Sequence, residues 1–132
     1  MITSTVTEGQ ARIHLKVIGP QGQEQEIEAL VDTGYSEFLT LNPATVAALG
    51  LRWRRVDKTI LADGSECFHD VYDGQVMWDG ETCSVSVAEL GTTPLVGMAL
   101  LSGYELKMQV RPRGKVTIKR LPTSPKERSR KR

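Results

Sequence analysis

Asp32-Thr33-Gly34 is where this sequence most readily supports chemistry. The apolar residues Leu30 and Val31 run straight into the carboxylate, and a charge at the end of a buried strand is costly to desolvate. By itself such a carboxylate could cap its own turn, because Asp side chains accept nearby backbone N–H groups. Beside a second carboxylate it could hydrolyse an amide. Like charges a few ångströms apart resist double ionisation, so the pair holds one proton between them. The ionised member draws a proton from water while the protonated member donates to the carbonyl oxygen. No other Asp-Thr-Gly or Asp-Ser-Gly occurs in the chain. Asp63-Gly64-Ser65 and Asp79-Gly80-Glu81 read as hairpin turns with no apolar strand ahead of them. The second carboxylate would therefore be Asp32 of another copy, with a two-fold axis between the two.

The elements that must position this triplet read mostly as strands. Ile13, Leu15 and Val17 alternate with polar residues, and after the turn Gly19–Gly22 so do Ile27, Ala29 and Val31. The pair forms a hairpin whose second strand delivers Asp32. One helix is expected from Pro43 to Leu49, with Asn42 as its N-cap and Gly50 as its stop. Val56–Leu61 and Glu66–Trp78 read as strands joined by the turn Ala62-Asp63-Gly64-Ser65. Asp79-Gly80 then turns the chain into a strand through Cys83, Val85 and Val87. Gly97 opens a short helical piece, Met98–Leu101. Leu106 to Val110 and Val116 to Ile118 are the last strands. Many short strands divided by turn signals predict a barrel or sandwich.

The chain resembles the retropepsin-like aspartic proteases of clan AA. The likeness lies in Ala29-Leu30-Val31-Asp32-Thr33-Gly34-Tyr35-Ser36, in Phe38-Leu39-Thr40-Leu41, and in Pro94-Leu95-Val96-Gly97 with Leu100-Leu101. More narrowly it is similar to a bacterial and archaeal branch with an Asp-Thr-Gly-Phe motif, here with Tyr35 in place of Phe, followed by Pro43 and Leu49-Gly50-Leu51. The resemblance implies a mostly β, single-domain closed barrel over residues 1–120, with one short helix after the catalytic strand and one helical turn after the second Gly motif. It implies an aspartic endopeptidase acting as a homodimer on a peptide or protein substrate, with Asp32, Thr33 and Gly34 as the catalytic loop. Thr33 would reach across the dimer, and Gly34 would leave room where the strand ends approach while taking a backbone conformation that other residues avoid. Tyr35, Ser36 and the hairpin Ala62, Asp63, Gly64 and Ser65 would meet the substrate, the hairpin as a flap. Gly97 would pack beneath the catalytic loop. Tyr35, the absence of a glycine-rich flap tip, and Met98-Ala99 after Gly97 depart from the retroviral pattern. A non-catalytic dimerisation or peptide-binding module on the same fold is the alternative.

The rest of the sequence narrows the classes. With 132 residues, 39% hydrophobic and 25% charged, it suits one globular domain. No run approaches the roughly 20 apolar residues that span a bilayer, and the polar start, Met1 to Gln10, lacks the layout of a signal peptide. A cytoplasmic protein without membrane contact is expected. Cys67 and Cys83 read as free thiols, and His14 and His69 stand apart, so neither a metal nor a cofactor is expected. Residues 111–132 hold ten Lys or Arg against one Glu, whereas residues 1–110 hold seven Lys or Arg against fifteen Asp or Glu. Residues 121–132 read as a basic disordered tail. No aromatic residue interleaves its charges, which argues against nucleic acid as a partner.

Overall fold

The computed structural model describes residues 1–123, so the expected basic tail lies, from residue 124, outside the described residues. Its strands are β1 (Ile2–Thr7), β2 (Gln10–Ile18), β3 (Glu24–Val31), β4 (Leu39–Leu41), β5 (Arg52–Ile60), β6 (Glu66–Trp78), β7 (Glu81–Glu89), β8 (Leu95–Val96), β9 (Tyr104–Met108) and β10 (Lys115–Arg120). Two helices interrupt them, α1 (Pro43–Leu49) and α2 (Met98–Leu101).

Local chemistry accounts for most boundaries. The Asn42 side chain accepts the N–H of Thr45 at 2.8 Å, Pro43 occupies the first turn, and Gly50 ends α1 in the left-handed region at φ 60°. Asp79 and Gly80 both have positive φ, as a two-residue turn with the twist of its strands requires, and β6 and β7 zip from Trp78 opposite Glu81. β2 and β3 pair from Arg12 opposite Leu30 to Ile18 opposite Glu24, and along them Ile13, Leu15, Val17, Ile27, Ala29 and Val31 turn to the core.

The strands form one sheet in the order β5-β6-β7-β4-β8-β3-β2-β1-β10-β9. A further contact pairs Lys16, Val17 and Ile18 of β2 with Met77, Val76 and Gln75 of β6. The sheet as a whole does not close into the expected barrel, because β5 and β9 each keep a single partner and remain edges. Ile13, Val17, Leu39, Leu41, Val76, Val87, Val96 and Ile118 are fully buried between the layers. β1 was not expected from the polar start of the chain. It pairs with β10, Ile2 opposite Ile118, and with β2, Val6 opposite Ala11, and it buries only Val6 fully. Among the described residues no helix is long and apolar enough to cross a membrane.

Candidate active site

β3 ends at Val31, and the next residue is held from three sides. The N–H of Asp32 donates to the carbonyl of Val96 in β8 at 2.9 Å, and the N–H of Tyr35 donates to the carbonyl of Asp32 at 3.1 Å. The N–H of Gly34 donates to Asp32 Oδ1 at 2.9 Å. β8 is only two residues long but sits between β3 and β4, parallel to the first and antiparallel to the second. It is fixed again by the N–H of Leu30, which donates to the Pro94 carbonyl at 2.9 Å. The carboxylate of Asp32 is half-buried, and the bond to Gly34 engages Oδ1 alone.

Gly34 does not take a positive φ, contrary to expectation. Its missing side chain matters for space instead: a Cβ there would lie 3.2 Å from Asp32 Oδ1. Thr33, Gly34 and Ser36 are exposed, and Tyr35 is half-buried. Burial pushes the Tyr35 phenol up to about 12, and the nearby carboxylates of Glu37 and Asp57 add to the shift because they oppose a phenolate.

The start of α2 clamps this loop from below. The N–H groups of Gly97, Met98 and Ala99 donate to the carbonyls of Phe38, Tyr35 and Glu37 at 3.0, 2.7 and 3.2 Å. A side chain at Gly97 would run into the carbonyl oxygens of Glu37 and Tyr35, so glycine is what lets backbone meet backbone here. Thr40 completes the support. It is 2% exposed, and its hydroxyl oxygen accepts the N–H of Leu95 at 2.9 Å. Its run Phe38–Leu41 stood out in the sequence only through the family likeness, and the hydroxyl that spans from β4 to β8 was not singled out.

The architecture can be compared with solved structures at this point. Superposed on the EIAV protease complexed with the inhibitor HBY-793, the chain gives a TM-score of 0.54 at 16% identity, over 74% of this chain and 90% of that one. The fold is that of a retroviral protease. No protein-family profile and no curated protein matches the sequence.

In that retroviral-protease fold, the hairpin read as a flap stands at the end of the β5–β6 ribbon. The N–H of Leu61 donates to the Ser65 carbonyl at 2.8 Å, and Gly64 has φ 85°. Asp63 Oδ1 accepts from the Ser65 hydroxyl at 2.6 Å and the Ser65 N–H at 2.9 Å, and these bonds hold its carboxyl below the usual range. The ribbon has two unlike faces. Asp57 and Thr59, opposite His69 and Cys67, are half-buried, and Asp57 lies close enough to Tyr35 to raise its phenol. Val56, Ile60 and Phe68 are exposed on the other face. The structure thus gathers Asp32, Thr33, Gly34, Tyr35 and Ser36 on one loop, with Glu37 and Asp57, the latter paired to Arg55 at 3.0 Å, as neighbours of Tyr35 that the sequence reading had not picked out. Ala62, Asp63, Gly64 and Ser65 form a separate tip, and no hydrogen bond joins that tip to the Asp32 loop among the described residues. Clefts of about 460 and 570 Å³ lie elsewhere, one beside Gly19 and Arg54 and one beside Trp78 and Tyr104, and Asp32 lines neither.

Proposed function

We propose that the chain is an aspartic endopeptidase whose catalytic pair is built from Asp32 of two copies. The observation that carries this reading is a half-buried carboxylate on a loop whose main chain is tied to β8 and α2, in the fold of a retroviral protease. One chain supplies one such Asp-Thr-Gly carboxylate, so a pair needs a second copy.

In the pair, one Asp32 is ionised and takes a proton from a bound water. The water oxygen bonds to the substrate carbonyl carbon while the protonated Asp32 gives its proton to the carbonyl oxygen. The tetrahedral intermediate then breaks its C–N bond, the amine leaves with a proton, and the carboxylic acid product forms. The two titrations belong to the pair, so the rate should describe a bell with an acid-side optimum. Thr33 would bind across the dimer. Tyr35, Ser36 and the Ala62–Ser65 tip would line the substrate, the tip closing over it to exclude water. We place this activity in the cytoplasm, on peptide or protein substrates.

The test is peptide cleavage by purified protein and by Asp32→Asn. Turnover should fall by about a thousandfold or more, with the fold intact. A one-to-one mixture with Asp32→Asn should retain roughly a quarter of the activity once subunits exchange, because only dimers with both carboxylates work. Unaltered cleavage by Asp32→Asn, or cleavage by a monomer, overturns the proposal. Peptide binding by a dimer without any turnover would leave only the binding module.

A further inference from the structure

The cleft beside Trp78 and Tyr104, about 570 Å³, has the size of a small-molecule site. Phe38, Trp78, Leu100, Tyr104 and Leu121 give it an apolar and largely aromatic wall. Arg120 and Glu81 are the charged residues that line it among the described residues.

The chain leaves two groups of that wall incomplete. Trp78 is 4% exposed, and its indole N–H has no hydrogen-bond partner among the described residues. A buried tryptophan N–H normally finds one. Arg120 is the second. Its Nη2 donates to the Tyr104 hydroxyl at 2.9 Å and lies 3.4 Å from the Glu81 carboxylate, while its Nε and Nη1 bond to nothing among the described residues. The Trp78 and Tyr104 rings meet edge to face with centroids 5.8 Å apart, and the guanidinium carbon lies 5.5 Å from the centre of the Tyr104 ring. The three side chains brace one another, so the cation is in place before a ligand arrives. A planar fork with free donors suits a carboxylate, which can accept two parallel bonds. Glu81 is the one competing anion in the lining, and its side chain is exposed enough to turn into solvent.

We propose that this cleft binds a small carboxylate with an apolar body, a medium-chain fatty acid being the simplest, with the headgroup on Arg120 and the hydrocarbon against Phe38, Trp78 and Leu100. Such a ligand also touches the support of the Asp32 loop. Phe38 and Ala99 both line the cleft. The Phe38 carbonyl accepts the N–H of Gly97, and the N–H of Ala99 donates to the Glu37 carbonyl. A body lodged between Phe38 and α2 braces both bonds, so occupancy steadies the loop that carries the carboxylate. Its effect on peptide cleavage rests on the endopeptidase reading; the binding does not.

Trp53→Phe leaves Trp78 as the sole tryptophan, and its fluorescence then reports on the cleft. Decanoate is the probe. Titration should give a saturable change in Trp78 emission and slow amide exchange at Gly97 and Ala99 severalfold. Decanol, which has the chain without the charge, should bind about tenfold more weakly or worse. Arg120→Gln and Leu121→Glu change exposed positions and should keep the wild-type circular dichroism. Each should weaken decanoate about tenfold, and Arg120→Gln should leave decanol unchanged. No saturable change, decanol binding as tightly as decanoate, or an Arg120→Gln variant that binds decanoate like its parent would each overturn the proposal. So would a decanoate affinity that falls as protein concentration rises, because a second copy would then cover the cleft. Unaltered exchange at Gly97 and Ala99 at saturation overturns the coupling to the loop. Decanoate binding by a protein that cuts no peptide keeps the cleft and removes the endopeptidase, and cleavage without decanoate binding does the reverse.

Discussion

Replacing Gly97 with alanine, the smallest possible addition, should both destabilise the protein and misplace Asp32. The new Cβ would start 2.7 Å from the Tyr35 carbonyl oxygen and 2.6 Å from Tyr35 Cδ2, with the Glu37 oxygen closer still. Ordinary contact begins near 3.4 Å, so loop and helix must separate by about 0.7 Å or more. The atoms in the way are mostly backbone, which cannot swing aside as a side-chain tip can. That separation stretches the bonds from Gly97, Met98 and Ala99 to the loop carbonyls. Overpacking of this kind costs about 1–3 kcal/mol, and weakened buried bonds push toward the upper figure. The melting temperature should fall by about 5–10 °C. Peptide cleavage should fall about a hundredfold, since a displacement near 1 Å at a catalytic group has that effect. Thermal unfolding, amide exchange at Met98 and kcat/KM would be measured on one preparation. Wild-type stability together with unchanged Met98 protection would refute the close contact from which both magnitudes are derived.

Thr40→Val keeps the shape of a buried side chain but leaves the Leu95 N–H without its acceptor, so denaturant unfolding should show a loss of about 1–3 kcal/mol, whereas Thr40→Ser, which keeps the hydroxyl, should retain the Leu95 bond and its amide protection. Tyr35→Phe should remove the latest of the phenol ionisations seen by ultraviolet titration. Because the Tyr35 pKa is raised from 10.0 to about 12, its contribution is fully present below pH 10 and is lost as the pH climbs through about 12. The variant should accordingly lose less stability than the wild type over that interval.

Legibility in the sequence depended on whether a residue's partner was local. The cap at Asn42, the stop at Gly50 and the turn at Asp79-Gly80 are made by neighbours along the chain, and each left its own residue type as a mark. β1 left none. It is Thr-rich, buries little, and is held by a strand more than a hundred positions away, so no periodicity betrays it. The first half of β5 escaped for a related reason: Arg52 to Arg55 are all exposed, and their strand exists because β6 offers a ladder. At the site, Asp32 to Ser36 share a loop by simple adjacency. The Thr40 hydroxyl on β8 and the proximity of Asp57 to Tyr35 are products of tertiary folding, and nothing in the local pattern encodes them.

The pairing of β1 with β10 ties completion of the sheet to the synthesis of residues 115 to 120. While the nascent chain is still emerging, β1 can lean on β2, but its other side waits for residues 115 to 120. Closing so long a loop is entropically slow, and topologies dominated by such distant contacts fold late. During that interval the unfinished sheet exposes a ribbon of unsatisfied amides, which a chaperone could shield and a neighbouring nascent chain could capture. Once β10 arrives, β1 and β10 hold each other in adjacent rows, and every row lost strips the next of its partner.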